Sequence, residues 1–153
     1  MTGSIPSNFG RLTKLIFLAM DENQLTSTIP TELGNLAELV FFSACGNNMT
    51  GPIPSEFGRL TSLTYLDMNE NQLSSTVPSV LGNLAQLVSF FANDNVFTGS
   101  LPSELGQLTS LRFFSTTNNQ LNSSVPFQYG KLQQLLALDI PKKEKPENKS
   151  IKQ

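Results

Sequence analysis

The sequence predicts an α/β solenoid of about six stacked units, with a parallel β-sheet along one face. The first observation is a strict 24-residue spacing, which glycine keeps from Gly10 to Gly130 and proline keeps from Pro6 to Pro126. The second is that one unit is too small to bury its own apolar residues, so neighbouring units must stack to cover them. The third is a short alternation of apolar and polar residues in each unit, which predicts one strand per unit.

One representative unit shows how each element is predicted. Leu66 and Met68 lie on either side of Asp67, and this alternation favours a strand with one buried and one open face. Asn71 then ends the strand. Pro78 and Gly82 follow in the same unit and interrupt any long helix, so we expect turns and one short helical turn there. Equivalent strands of successive units are expected to pair in parallel.

A column of asparagines recurs among the apolar columns. We predict that these side chains point inward and hydrogen-bond the backbone of adjacent turns, because leaving a buried amide unsatisfied costs about 1–3 kcal/mol. The alternative, a set of exposed turn asparagines, is less favoured because an exposed position would tolerate other polar residues. The column consists of Asn23, Asn47, Asn71, Asn95 and Asn119.

Two stretches carry a known repeat motif, LTSLTYLDMNENQL (60–73) and TGPIPSEFGRL (50–60). They resemble the leucine-rich repeat family in its 24-residue plant-type subclass, whose consensus is LxxLxxLxLxxNxLxGxIPxxLGxLxx. The resemblance covers residues 2–140. It implies a curved horseshoe with the parallel sheet on the concave face.

The resemblance also carries a functional expectation. Relatives of this subclass are mostly extracellular parts of receptor-like kinases and receptor-like proteins, or secreted inhibitors of cell-wall-degrading enzymes. They bind peptides, proteins or glycans and catalyse nothing through the repeats. The resemblance therefore implies a protein- or peptide-binding module of a receptor-like signalling protein. The alternative is a stand-alone scaffold or inhibitor that blocks another protein, such as a hydrolase. The implied location is extracellular or at the cell membrane for a piece of a longer protein, and cytoplasmic otherwise.

The sequence departs from the family pattern in two ways. Glycine and serine alternate at one consensus position, and residues 1–48 match residues 49–96 at 31 positions, so the true period is 48 residues. The usual N-terminal cap with paired cysteines has no counterpart, and the sequence opens within a unit, which predicts a piece of a longer protein. The alternating residues are Gly3, Ser27, Gly51, Ser75, Gly99 and Ser123.

Charge divides the chain into a solenoid, 1–141, and a basic tail, 142–153. The tail holds five Lys and two Glu, whereas the preceding residues hold five basic and ten acidic residues. Its low apolar content predicts a disordered, solvated terminus. The functional alternative is a basic tether to an acidic partner or membrane surface.

Composition excludes several classes of function. The chain has no His and only one cysteine, Cys45, so it lacks the residues for a Ser-His-Asp triad, a His-ligated zinc site or an internal disulfide. The net charge of −2 predicts no nucleic-acid partner, and no run approaches the roughly 18 apolar residues of a membrane span. We expect no enzyme activity, no metal and no cofactor, and we interpret Asp67 and Glu70 as solvated charge rather than a glycosidase pair.

The side chains that flank the core positions of each strand are expected to face outward from the concave sheet. Contiguous exposed aromatic residues favour a contact site, and adjacent carboxylates favour a partner that carries Lys or Arg. The alternative is that Phe17, Phe41 and Phe113 only pack against one another and bind nothing. The predicted aromatic residues are Phe17, Phe41, Tyr65, Phe91 and Phe113, and the predicted acidic residues are Asp21, Glu22, Asp67, Glu70 and Asp94.

Two further sequence features concern modification. Asn48-Met-Thr50 and Asn122-Ser-Ser124 match the N-glycosylation sequon, which has meaning only if the protein is secreted. Cys45 is expected to be a small free side chain rather than a nucleophile, because the chain has no His to activate it.

Overall fold

Equivalent strands of the six units pair in parallel in one sheet, in the computed structural model that describes residues 1–122 and 124–140. Neighbouring strands align with an offset of 24 residues, so that Phe41 pairs with both Phe17 and Tyr65. The predicted solenoid with a parallel sheet is therefore confirmed. With strands numbered in chain order, this concave sheet consists of β2 (Phe17–Ala19), β4 (Phe41–Ser43), β6 (Tyr65–Asp67), β8 (Ser89–Phe91), β10 (Phe113–Ser115) and β12 (Ala137–Asp139).

A second set of strands, two residues each, lies after the asparagine turns. They pair in parallel as β1 with β3, β5 with β7, and β9 with β11. Backbone bonds also join these pairs, since the amide of Asn48 donates to the carbonyl of Leu25 over 2.9 Å. The short strands are β1 (Thr2–Gly3), β3 (Gln24–Leu25), β5 (Thr50–Gly51), β7 (Gln72–Leu73), β9 (Thr98–Gly99) and β11 (Gln120–Leu121).

The alternation of glycine and serine has a steric cause. The backbone is left-handed at this position in both kinds of unit, with φ of 76° at Gly51 and 71° at Ser27. A Cβ on Gly51 would lie only 2.7 Å from the Cγ2 of Thr28 in the preceding unit. The residue equivalent to Thr28 before Ser27 is the smaller Ser4. Glycine is therefore needed where the preceding unit carries threonine. Ser123 lies outside the described residues.

The opposite, convex side of each unit carries one five-residue helix. All six described helices are 3₁₀ helices, so the helical part of the α/β solenoid is not α-helical in the described residues. Each follows a proline and contains a glycine, which in the first five lets the next helix approach: a Cβ on Gly82 would lie 2.5 Å from the carbonyl oxygen of Glu104. The helices are Ser7–Arg11, Thr31–Asn35, Ser55–Arg59, Ser79–Asn83, Ser103–Gln107 and Phe127–Lys131.

The core is one continuous apolar column between the concave sheet and the 3₁₀ helices. In the third unit, Leu63, Leu66 and Met68 are completely buried, whereas Leu12 in the first unit and Leu138 in the sixth are 49% and 40% exposed. Residues 142–153 lie outside the described residues, so the division at residue 141 stays a prediction. No helix within the described ranges has the length and apolar character needed to cross a membrane.

A candidate binding face on the concave sheet

Four aromatic rings form a continuous row across the concave sheet. The rings of Phe17 and Phe41 stack with centroids 4.3 Å apart, and those of Phe41 and Tyr65 stack at 4.4 Å. Phe91 then meets Tyr65 edge-on at 5.8 Å. We call Phe17, Phe41, Tyr65 and Phe91 the aromatic ladder. The in-register pairing of β2, β4 and β6 produces the stacking, because neighbouring strands lie about 4.8 Å apart.

The stacking determines which part of each ring meets solvent. Phe41 is covered on both ring faces by its neighbours, so mainly ring edges remain open along the middle of the ladder. Phe17 keeps 59% of its surface exposed, and Phe41, Tyr65 and Phe91 are half-buried. The ladder is thus a rigid apolar stripe that is partly accessible.

The ladder does not extend to every aromatic residue predicted for this face. Phe113 pairs in register with Ser89 instead of a ring, so the row ends at Phe91. Phe91 itself comes from the next outward position of its strand and turns toward Tyr65. The alternative packing of Phe17, Phe41 and Phe113 is therefore wrong for Phe113, since β10 is separated from β4 by two strands.

Asp67 differs from the solvated carboxylate that the sequence predicted. It is only 8% exposed, and its carboxylate accepts hydrogen bonds from the Tyr65 hydroxyl at 3.1 Å and from the backbone N–H of Asn69 at 3.0 Å. Burial raises the pKa of Asp67, and burial together with the nearby Asp67 raises the pKa of Tyr65 to about 12. Asp67 therefore fixes the Tyr65 ring in the ladder.

Three exposed carboxylates follow the carboxyl ends of the concave strands. Glu22, Glu70 and Asp94 each occupy a left-handed turn, with φ of 51°, 52° and 54°. We call these three residues the acidic rim. The equivalent residues of the other turns are Gly46 and Asn118, which adopt this conformation readily, and Asn118 donates to the carboxylate of Asp94 at 2.7 Å. The ion pair found among the described residues is Lys14–Glu38, so the rim carboxylates have no cationic partner there.

Asp21, also predicted for this face, has a structural contact. Its Oδ1 accepts hydrogen bonds from the backbone N–H of Cys45, at 3.0 Å, and from the Ser43 hydroxyl. Asn69, two units further along, repeats the backbone bond, since its Oδ1 accepts from the N–H of Asn93 at 2.8 Å. The recurrence of Asp and Asn in this column was the sequence signal for these contacts.

Cys45 lies beside the acidic residues on the same face. Burial, followed by the charges of Asp67 and Glu70, raises the pKa of the Cys45 thiol to about 11. A thiol with a raised pKa is mostly protonated at neutral pH and is a poor nucleophile. In the described residues, no three His, Cys, Asp or Glu side chains are grouped closely enough to hold a metal ion.

The asparagine column joins successive turns through both ends of each amide. Asn71 donates to the carbonyl of Ala44 in the preceding unit at 2.9 Å, and its Oδ1 accepts from the N–H of Met49 at 3.0 Å. Asn47, Asn95 and Asn119 repeat this pattern. Asn23 donates only within its own turn, to Met20 and Asp21, and its Oδ1 accepts from the N-terminal ammonium of Met1. These bonds fix the spacing between successive turns and therefore the positions of the rim carboxylates.

The two sequon asparagines lie away from the concave sheet, by the short strands. Asn48 and Asn122 are both exposed, and the amide of Asn122 donates to the Ser100 hydroxyl at 3.2 Å. Ser123, the middle residue of the second sequon, lies outside the described residues. Both asparagines stay candidate glycosylation sites.

Comparisons with known proteins agree with this architecture. The leucine-rich repeat family profile matches residues 14–36 and 62–84. No curated protein matches the sequence. Among solved structures, the ectodomain of the plant membrane receptor kinase GASSHO1/SCHENGEN3 from Arabidopsis thaliana, in complex with Casparian strip integrity factor 2, is 38% identical with a TM-score of 0.88, over 92% of this chain and 17% of that chain.

Two more solved structures show the same likeness. The plant peptide hormone receptor RGFR1, in complex with RGF2, is 38% identical with a TM-score of 0.89, over 91% of this chain and 22% of that chain. The ectodomain of the receptor kinase SOBIR1 from Arabidopsis thaliana is 31% identical with a TM-score of 0.71, over 78% of this chain and 65% of that chain. The chain is therefore built of plant-type leucine-rich repeats and resembles the ectodomains of plant receptor kinases. It spans about a fifth of the length of the first two receptors.

Proposed function

We propose that this chain is a non-catalytic binding module that takes up an extended basic peptide segment along its concave sheet. The observation that carries the proposal is the aromatic ladder lying beside an acidic rim that has no cationic partner in the described residues. Contiguous exposed aromatic residues are typical of contact surfaces.

The ladder and the rim suit the two parts of a basic side chain. The apolar stem of Lys or Arg packs well on aromatic surface while its charged end stays in water. On this face the stem would lie along the ladder, and the charged end would reach Glu22, Glu70 or Asp94. Charge-assisted hydrogen bonds to these carboxylates would favour Arg in particular, because its guanidinium binds a carboxylate in two places.

The likeness to receptor ectodomains supports a peptide as the ligand. One of the similar proteins is a peptide hormone receptor in complex with RGF2, another is in complex with Casparian strip integrity factor 2, and both align with more than nine-tenths of this chain. The proposal therefore includes a receptor-like signalling role in an extracellular or membrane setting. No observation on the described residues favours the scaffold or inhibitor alternative over it.

Calorimetry on the full chain tests the proposal. The probe is a capped decapeptide of alternating Arg and Ser, and its matched control is the same peptide with Glu in place of Arg. We expect the Arg peptide to bind and the Glu peptide not to bind. The double variant Tyr65→Ala, Phe91→Ala should weaken binding at least about tenfold, because two partly buried aromatic contacts are lost.

Phe127→Ala is the matched control variant, since Phe127 is 87% exposed on the convex side. It should leave binding unchanged. Unchanged binding in a folded Tyr65→Ala, Phe91→Ala variant would contradict the proposal, as would equal binding of the two peptides. Circular dichroism and a cooperative thermal transition establish that each variant is folded.

A further inference from the structure

We propose that the chain's own basic segment, residues 142–153, docks on the concave sheet and covers the acidic rim. This segment lies outside the described residues and carries five Lys and two Glu. The rim carboxylates are exposed and the concave sheet has no partner layer within the described ranges. Opposite charges therefore stand on the two parts of one molecule.

The described chain ends on the same side of the sheet as the rim. Strand β12 closes at Asp139, and Ile140 is the last described residue. Glu22 and Glu70 each stand three residues after the carboxyl end of their own concave strand, and Lys142 follows Asp139 by the same three residues in the sequence. The described chain therefore ends, at Ile140, on the side of the sheet that carries the rim.

The segment is long enough to reach every rim carboxylate. With neighbouring strands about 4.8 Å apart, Glu70 lies about 14 Å and Glu22 about 24 Å from the column of β12. Twelve extended residues span up to about 40 Å. Because the segment is tethered, its effective concentration at the rim is of millimolar order, so pairing with a dissociation constant below that order would keep the rim largely covered.

The convex side offers a weaker attraction, since two of its glutamates have a basic neighbour. Glu32 lines the same depression as Arg11, and Glu104 the same depression as Lys131. Glu38 is paired with Lys14. The nearest basic residue on the concave strands is Arg112, which precedes β10 and so lies at the strand end opposite to the rim. The rim therefore groups three exposed carboxylates along one edge of the concave sheet, away from these basic residues.

The docking does not require an outside ligand, although its consequence rests on the proposed function. A basic peptide that binds the concave face would have to displace the chain's own segment. The segment would then act as a built-in competitor that sets the apparent affinity of the face.

Paramagnetic relaxation in the full chain tests the docking. A nitroxide is attached through Lys149→Cys in a Cys45→Ser background, and backbone amide signals are recorded at about 20 mM and about 500 mM salt, which bracket strong and weak screening. We expect the amides of Glu22, Glu70 and Asp94 to broaden at low salt and to recover at high salt. The amides of the convex glutamates should broaden far less at either salt concentration.

Two matched sets of substitutions test whether the segment is held by the rim carboxylates or by any acidic residues of the chain. Glu22→Gln, Glu70→Gln and Asp94→Asn together should abolish the low-salt broadening. Glu32→Gln, Glu56→Gln and Glu104→Gln remove the same charge from the convex side and should leave the broadening intact. Equal broadening of both faces, or broadening that survives the rim substitutions, would overturn the proposal.

A mixed sample shows whether the segment docks on its own chain or on a second copy of the chain. The nitroxide is placed on protein without ¹⁵N, and the signals of ¹⁵N protein without nitroxide are recorded. We expect no broadening, because the contact is intramolecular; rim broadening in the mixture would overturn the proposal in favour of a dimer.

The outcome is distinguishable from that of the proposed function. Replacing all five tail Lys by Gln should tighten binding of the Arg–Ser decapeptide several-fold. If the decapeptide fails to bind while the relaxation pattern holds, the proposed function fails and the docking stands. If the decapeptide binds equally well with and without the tail Lys and no relaxation pattern is seen, the docking fails alone.

Discussion

The hydroxyl of Tyr65 donates a hydrogen bond of 3.1 Å to the carboxylate of Asp67, two residues further along the same concave strand. The pair is placed where the aromatic ladder meets the acidic side of the sheet. Because the pKa of Tyr65 is raised to about 12, its hydroxyl stays a donor throughout the neutral range. Asp67, in contrast, is an acceptor whose charge is disfavoured by burial.

Asp67→Asn should stabilise the protein more at neutral pH than in mild acid. Burial raises the pKa of Asp67, so the folded state binds this proton more tightly than the unfolded state does. The penalty for the charged form is absent below the unfolded pKa of about 4 and grows as pH rises through the folded pKa. Urea unfolding of both proteins at about pH 4 and pH 7 measures the difference. A stability advantage of the variant that stays constant or shrinks with rising pH would contradict this account.

Cys45 should react slowly with iodoacetamide. With its pKa raised from 9.0 to about 11 by burial and by Asp67 and Glu70, the native thiol carries less thiolate. Each pKa unit is a tenfold change in the thiolate fraction, so the rate at about pH 8 should be about 100-fold below that of the same cysteine in urea. The measurement is mass-spectrometric alkylation of native and unfolded chain. Equal rates in the two states would show that the thiol is neither covered nor surrounded by effective negative charge.

The regular part of the fold was predictable, because it depends on spacing that is visible in the sequence. The 24-residue columns predicted the parallel strands. The alternation around Asp67 predicted an open face there, which is wrong for Asp67 itself because it is only 8% exposed. The burial of Asp67 was not predictable, since it depends on the ring of Tyr65 beside it. The end of the ladder was not predictable either, because Phe91 fills the place that Ser89 leaves open only once the strands are in register.

The 3₁₀ geometry of the convex helices could not be predicted from the sequence either. Proline and glycine predicted an interrupted helix there, but the tight approach of neighbouring units decides its form. The acidic rim shows the same limit, because its left-handed turns at Glu22 and Glu70 depend on backbone geometry that neither residue type indicates.

Gly82→Ala should destabilise the protein clearly, whereas Gly130→Ala should leave its stability nearly unchanged. A Cβ on Gly82 would lie 2.5 Å from the carbonyl oxygen of Glu104, so the two helices must separate, at a cost of about 1–3 kcal/mol. A Cβ on Gly130 would meet nothing within 4 Å, and its substitution should change stability by less than about 0.5 kcal/mol. Chemical denaturation of both variants gives the two values. Similar losses at the two positions would show that close helix approach does not explain the glycine column.

Asn71→Ala should cost about 1–3 kcal/mol of unfolding free energy, because it leaves the buried N–H of Met49 without a partner. The carbonyl of Ala44 loses one of its two donors and keeps the other, Asn47. Asn23→Ala is the matched control. Asn23 is half-buried, donates only within its own turn and accepts from the exposed N-terminal ammonium of Met1, which water can solvate in the variant, so its loss should be clearly smaller. Equilibrium unfolding in urea compares the two. A loss at Asn71 no larger than at Asn23 would show that the bonds between units are not what stabilises the turns.

The most direct test of the concave binding face is a map of backbone amide shifts in the full chain as the Arg–Ser decapeptide is added. The account predicts that the largest shifts fall on the strands carrying Phe41, Tyr65 and Phe91 and on the turns carrying Glu70 and Asp94, and that they weaken with salt. Shifts concentrated on the convex 3₁₀ helices, or none at concentrations where calorimetry detects binding, would contradict it.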